Sequence, residues 1–167
     1  MPGRRLKNPY VGFRSEQATI SALSSYASIV KIPLEEDYGS DLICTIVEEK
    51  GKFLIPSSPF LIQVKCNDSN QKKIINYNSS DAIDWFLSIN IPFYISLVYF
   101  KKNPRVDIYT TIEKIPLQYN CKRDKITNIT LFRGNSHSDN KTWDWNGDIW
   151  LGKPIISIPF DKIILIK

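Results

Sequence analysis

Two stretches of the chain, Asp37-Tyr38-Gly39-Ser40-Asp41 and Phe60-Leu61-Ile62-Gln63-Val64-Lys65-Cys66, decide how it is expected to fold. The first is an acidic turn that leads directly into the strand-like alternation of residues 42–47. The second is strand-like throughout, and because side chains alternate across a strand, Gln63 and Lys65 share one face while the opposite face is purely apolar. The sequence therefore predicts an acid at the start of one strand and an amide and an amine along the next.

A helix is predicted before these strands, over residues 12–27. Phe13, Ile20, Leu23 and Ala27 recur at the offsets that form one apolar stripe. Glu16 falls on this stripe or at its edge, where a carboxylate is costly to bury unless it is paired or bound to a metal. The alternative is a solvated Glu16 that stabilises the first turns through the helix dipole.

The remaining pattern alternates between strands and helices. Strands are expected at 28–32, 41–48, 60–66, 92–100 and 105–112, and a second helix is expected to begin at Ser79 or Ser80 and to stop at Asn90 and Pro92. Residues 56–59, with two prolines, are predicted to end a connection, and 67–78 to form a polar loop. Beyond Pro116 we expect a strand at 126–132, a β-like tail at 155–167, and a hairpin turning at Asn146-Gly147 that pairs Trp143 with Trp150.

Composition restricts the class of protein. The 167 residues suit a single domain, and 43% of them are hydrophobic, enough for a core. The net charge of +5 suits a polyanionic partner without establishing one. Three cysteines without a CxxC pair indicate a reducing cytosol and no structural zinc. The longest apolar run, residues 91–100, is about half the length of a membrane helix, so we expect a cytoplasmic protein with no membrane partner.

The order of these elements and motifs resembles the PD-(D/E)XK nuclease superfamily, the restriction-endonuclease-like fold. The resemblance is closest to uncharacterised families that have a GxD turn and a QxK strand, and to Holliday-junction resolvase-like families. It implies an α/β fold with an α-β-β-β-α-β core and a mixed central sheet over residues 12–112. Residues 113–167 would be a β-rich C-terminal extension that carries the Trp hairpin.

The resemblance also implies a role for each matching residue. Asp41 would be the metal-binding aspartate, Gln63 would fill the second ligand position, and Glu16 would be the glutamate of the first helix. Lys65 would assist the attacking water or stabilise the transition state, and Asp37 would be an accessory acid. The implied activity is a Mg²⁺- or Mn²⁺-dependent endonuclease acting on DNA in a defence-like setting.

The chemistry explains why these residue types are needed. Hard divalent ions prefer oxygen ligands, mostly carboxylates, and a metal against the scissile phosphate polarises it. A lysine adds positive charge where negative charge develops. Gln63 departs from the pattern, since the common residue there is Glu or Asp, and a neutral amide weakens metal binding unless Glu16 compensates.

Two other interpretations remain open. A degenerate nuclease fold would bind nucleic acid or a partner protein without cutting, and the Trp-rich extension would then serve a partner or a homodimer. A purely structural α/β domain would leave Glu16, Asp41, Gln63 and Lys65 apart in space. The tryptophans can stack on unpaired bases, but cross-strand packing or a protein contact is favoured.

Overall fold

The computed structural model describes residues 7–33, 39–112, 126–135 and 147–163. It confirms a mixed α/β protein in which strands predominate. The elements in chain order are α1 (Lys7–Leu23), β1 (Ala27–Lys31), β2 (Leu42–Lys50), β3 (Phe53–Cys66), β4 (Lys73–Tyr77), α2 (Ser80–Ser88), β5 (Phe93–Tyr99), β6 (Arg105–Thr110), β7 (Ile129–Phe132), β8 (Asp148–Trp150) and β9 (Ile156–Pro159), followed by a 3₁₀ turn, Phe160–Lys162.

The larger sheet has the strand order β1-β2-β3-β5-β6-β9. Only the β3–β5 pair is parallel, because the chain returns between these two strands through β4 and α2. All other pairs in this sheet are antiparallel. The expected mixed central sheet is therefore present, and β9 extends it from the C-terminal part of the chain.

Apolar side chains fill both faces of this sheet. On one face α1 packs against a core that includes Leu42, Ile62 and Val98. On the other face α2 and the smaller sheet, of order β4-β7-β8, share a core with Ile95 and Leu97. The alternation along β5 explains the two cores, because successive side chains point to opposite faces of a strand.

The first helix differs from its prediction in position and in the nature of its buried side. It begins at Lys7, because proline is tolerated in a first helical turn and Pro9 therefore does not exclude helix there. Leu23 of the predicted apolar stripe is buried, but Phe13 is exposed, and small polar residues are buried beside the stripe. Thr19 Oγ1 lies 2.7 Å from Ser96 Oγ of β5, so a hydrogen bond adds to the apolar contact between helix and sheet.

Two strands extend into regions that were expected to be loops. β3 begins at Phe53 and includes Pro56 and Pro59, and it tolerates them because this part of the strand pairs on one side only. β4 lies within the predicted polar loop, where Ile75 and Tyr77 are buried and the intervening Asn76 is exposed. The apolar alternation of β4 outweighs its polar flanks.

The described part of the C-terminal region also forms sheet. β8 runs parallel to β7, and Trp150 stacks on Phe132 with ring centroids 4.8 Å apart. Gly147 has a φ of +86°, and a Cβ there would overlap the backbone oxygen of Asn128, so only glycine fits. The predicted hairpin partner Trp143 lies outside the described residues. Neither α1 nor α2 has the length and apolar character needed to cross a membrane.

Candidate functional site

Asp41 is attached to the backbone of the strand that carries Gln63 and Lys65. Its Oδ2 accepts a hydrogen bond of 2.6 Å from the backbone N–H of Val64, the residue between them. Its own N–H donates to the Ile62 carbonyl over 2.9 Å. The Asp41 carboxylate therefore lies against β3 at the point where the β2 ladder begins.

The turn before Asp41 is fixed by the second helix. Gly39 has a φ of +114°, and a Cβ built on it would lie 2.8 Å from the Trp85 ring of α2. Both the backbone conformation and this contact require glycine. Ser40 is buried beside it. The glycine of the GxD motif thus serves to bring the turn into contact with α2.

Gln63 is buried and already has a partner. Its Oε1 accepts a hydrogen bond of 2.8 Å from the Tyr77 hydroxyl of β4, and each of the two residues is 7% exposed. The Tyr77 ring stacks on Phe86 at 4.8 Å. Burial, and secondly the negative charge of Asp41, raises the pKa of Tyr77 well above its ordinary value. The phenol therefore stays protonated and keeps its hydrogen for the bond to Gln63. Because the charge of Asp41 acts on the phenol, Tyr77 lies within electrostatic reach of that carboxylate.

Lys65 lies two residues beyond Gln63 and faces the same side of β3. It is half-buried and stands opposite Leu97 in the parallel ladder. Among the described residues no carboxylate forms an ion pair with it. Lys65 is therefore a cation on the same face of β3 as Gln63 that no described acid neutralises.

Glu16 approaches from the other side of the sheet. It is 8% exposed, the first of the two alternatives that its spacing left open, and its Oε2 lies 2.5 Å from Lys31 Nζ. Beyond this ion pair, no described hydrogen bond reaches that oxygen. Lys31 stands opposite Leu42, and the next residue, Ile32, donates its N–H to the Asp41 carbonyl over 3.0 Å. Glu16 thus reaches the same end of β2 as Asp41, but through Lys31.

The described side chains around Asp41 and Gln63 offer the oxygen atoms that a hard cation prefers, but they include few carboxylates. Asp41 and Gln63 offer oxygen atoms, the ligand type that Mg²⁺ prefers, and Mg²⁺ commonly takes only one or two protein ligands beside water and phosphate oxygens. Within the described ranges, no three His, Cys, Asp or Glu side chains are grouped closely enough to hold a metal. Asp37, the predicted accessory acid, lies outside the described residues.

Tyr77 is the residue of this site that the sequence analysis missed. The stretch containing it was predicted to be a polar loop, so its phenol was not considered as a partner for Gln63. The signal was present in Ile74-Ile75-Asn76-Tyr77, an apolar and aromatic run with strand alternation. A strand at that position would have placed Tyr77 and Ile75 on one buried face.

The described cysteines lie apart from this chemistry. Cys44 is free and fully buried, and burial raises the pKa of its thiol to about 12. It therefore remains protonated and packs as a small apolar side chain. Cys66 is also free, and Cys121 lies outside the described residues.

Comparison with known proteins gives no information on the function of the chain. No family model, no curated protein and no solved structure matches the chain.

Proposed function

We propose that the protein is a metal-dependent nuclease that hydrolyses phosphodiester bonds in DNA. The observation that carries the proposal is the 2.6 Å hydrogen bond between Asp41 Oδ2 and the backbone of Val64. It brings a carboxylate next to the residue that separates Gln63 from Lys65. An acid, an amide oxygen and a cation then occupy one short section of two neighbouring strands.

In this proposal Asp41 and Gln63 hold Mg²⁺ or Mn²⁺. The metal would supply positive charge at the scissile phosphate and a more acidic bound water. Gln63 Oε1 accepts one hydrogen bond from Tyr77, and a carbonyl oxygen has a second lone pair for a ligand. Glu16 is the further ligand that we propose. Its partner Lys31 has a side chain 36% exposed, so water can solvate the ammonium group once the ion pair opens.

Lys65 has the role of stabilising charge at the reacting phosphate. A cation held beside the reaction centre stabilises the negative charge that develops in the transition state. No described acid neutralises Lys65, and the half-buried position reduces screening by water. The net charge of +5 favours approach of the polyanionic substrate.

The connectivity supports a restriction-endonuclease-like core as part of the proposal. The order α1-β1-β2-β3, followed by α2 and β5 parallel to β3, corresponds to the α-β-β-β-α-β arrangement expected from the motifs. The additional β4 lies between β3 and α2 and carries Tyr77. Within this core, the candidate residues lie where β2 begins and β3 passes beside it.

A second candidate function is a domain of the same fold that binds nucleic acid or a protein without cutting. One observation favours it: Gln63 and Tyr77 are both buried and satisfy each other by a hydrogen bond. An amide held in this way has a complete structural role without a metal. The two candidates differ in whether Asp41 and Lys65 are needed for a chemical step.

The test is cleavage of supercoiled plasmid and of single-stranded DNA with Mg²⁺ or Mn²⁺, with EDTA as the blank. Asp41→Asn removes the charge but keeps an acceptor for the Val64 N–H, and Lys65→Met keeps most of the side-chain length. Lys52→Met, on an exposed residue of the β2–β3 turn, is the matched control. We expect cleavage by the wild type and the control and a loss of about 100-fold or more in the two site variants.

The outcomes separate the two candidates. Cleavage unchanged in both site variants would contradict our assignment of the site. Binding of DNA by the wild type without cleavage in either metal would favour the binding domain. Titration of Mn²⁺ by calorimetry adds a readout that does not depend on activity, because Asp41→Asn should weaken metal binding.

A further inference from the structure

An arm protrudes from the larger sheet and exposes apolar side chains. We define the arm as residues 48–59, where β2 and β3 pair only with each other. The β1 ladder on β2 ends at Ile46, and the β5 ladder on β3 begins at Leu61. Near the tip, Phe53 is 64% and Leu54 67% exposed. Neighbouring exposed apolar groups on a protein commonly mark an interaction site.

The chemistry of the arm tip does not suit nucleic acid. Two acids, Glu48 and Glu49, and two bases, Lys50 and Lys52, cancel there, although the whole chain carries +5. Across the ladder Glu49 stands opposite Leu54, so β2 provides charge and β3 provides apolar surface. A neutral tip with an apolar strand suits a protein surface that is itself apolar and uncharged.

Pairing of the arm by its strand edges is disfavoured. Pro56 and Pro59 interrupt the backbone donors of β3, and proline is one of the features by which natural proteins protect an exposed edge. The outer edge of β2 carries Glu48 and Glu49, which would repel a second copy of itself. The apolar side chains therefore have to be covered by packing and not by a continuous ladder.

A groove of matching chemistry lies at the base of the same arm, on the α1 side of the sheet. It has a volume of about 310 Å³ and is lined only by aliphatic and aromatic residues, including Leu23, Tyr26, Ile46, Phe60, Ile155 and Ile156. Its rim is open, because Ile155 is 53% and Ile156 43% exposed. Such a volume has room for large apolar side chains.

We propose that two copies of the chain form a two-fold dimer in which the arm tip of each copy packs into the groove of the other. The groove begins at Ile46 and Phe60, and the tip at Phe53 lies seven residues further along β3, about 23 Å away. If the arms of the two copies lie side by side and point in opposite directions, the tip of each arm reaches the groove at the base of the other copy's arm. Because each copy contributes both an arm tip and a groove, a two-fold axis pairs both sets at once and gives a closed isologous interface.

The inference does not depend on the proposed chemistry and is tested by sedimentation equilibrium of the full chain without nucleic acid. The double variant Phe53→Asp, Leu54→Asp charges the tip, and Ile155→Asp charges the groove rim. Val30→Asp, on β1, is the control, since Val30 is 61% exposed and lies outside arm and groove. We expect the wild type and the control to dimerise at micromolar concentration and both test variants to raise the dimer Kd about 100-fold or more.

A photo-crosslinker at position 53 locates the contact directly. With p-benzoylphenylalanine in place of Phe53, irradiation should give a covalent dimer whose crosslinked peptides contain residues 23–27 or 155–156. Three results would overturn the inference: a monomer at all concentrations, a dimer that neither charged variant weakens, or crosslinks that map elsewhere. Circular dichroism of each variant checks that the substitutions, all on exposed residues, leave the fold intact.

Discussion

The two halves of β3 differ in burial and in strand pairing, although they form one continuous strand of 14 residues. The inner half, residues 61–66, pairs with β5 along its whole length and with β2 at Leu61 and Ile62, and it carries Gln63 and Lys65. The outer half, residues 53–60, pairs with β2 alone, and residues 53–59 are all exposed. One strand thus provides a rigid support at one end and an interaction surface at the other.

The difference shows what makes a position suitable for chemistry. In the inner half, side chains from outside the strand fix its groups: Asp41 binds the Val64 N–H, and Tyr77 binds Gln63. Reacting groups need this support, since their positions must be held closely. In the outer half, Phe60 at its base contacts the Tyr94 ring, whereas among the exposed residues 53–59 the described side-chain contact is Lys52 over the Phe53 ring. The outer half is suited to binding, where a partner completes the packing.

The largest effect is expected from the same substitution made in each half. Ile62→Ala removes a fully buried side chain and should lower the free energy of unfolding by about 2–5 kcal/mol. Ile55→Ala, at a residue 42% exposed, should cost less than about 0.5 kcal/mol. Urea denaturation at low protein concentration measures both, because contacts between copies then contribute little. Equal losses would remove the distinction between the halves.

Much of the fold could be predicted because the inner elements follow simple periodicity. Residues 60–66 and 92–100 are dense in apolar residues, and β3 and β5 appear there. The outer half was missed because Pro56 and Pro59 indicate a break, and only the edge position makes them tolerable. The buried polar residues of the first helix were missed for a similar reason, since the Thr19–Ser96 hydrogen bond lets them lie against the sheet. Both errors come from tertiary contacts that no local pattern contains.

The sequence named the candidate site residues but not the side chains that contact them. Strand alternation put Gln63 and Lys65 on one face, and helical spacing left open a buried, partnered Glu16 or a solvated one, of which the structure shows the first. Lys31 as that partner, and Tyr77 as the partner of Gln63, arise from pairing between strands distant in sequence. A sequence read without its pairing register cannot provide such contacts.

A second comparison of the halves concerns activity. If the nuclease proposal holds, Lys65→Met should reduce the rate of DNA cleavage about 100- to 1000-fold, which corresponds to about 2.7–4 kcal/mol of lost transition-state stabilisation. Lys52→Met, beside the outer half, should leave the rate within about twofold, since an exposed single charge contributes little. Single-turnover rates at saturating DNA make the comparison. A large loss with Lys52→Met would move the active region toward the arm.

A smaller effect is expected from the side chain that holds Gln63. Tyr77→Phe keeps the ring on Phe86 but removes the hydroxyl, so the buried Gln63 Oε1 loses its described donor. An unsatisfied buried acceptor costs about 1–3 kcal/mol, which thermal or urea unfolding would detect. Repeating the unfolding experiment with Mn²⁺ distinguishes a metal-binding Gln63 from a purely structural one. If Gln63 binds metal, the ion should restore part of the loss in Tyr77→Phe, whereas a purely structural amide would gain nothing.

The smallest effect is a dependence of stability on alkaline pH. The folded pKa of Tyr77 is raised above the unfolded value near 10, so its contribution is complete below about pH 10 and is lost as the pH rises toward the folded pKa. Each such phenol lowers the free energy of unfolding by up to about 1.4 kcal/mol per pH unit in that range. The pKa values of Tyr109 and Cys44 are raised as well, so the Tyr77→Phe variant should retain part of the slope. Tyr77→Phe should therefore remove the contribution of one titrating group from the slope of the unfolding free energy against pH. Urea denaturation between pH 9 and 11 measures this slope. An unchanged slope would mean that the Tyr77 hydroxyl is open to water, and the inner half of β3 would then lack the buried support that distinguishes it from the arm.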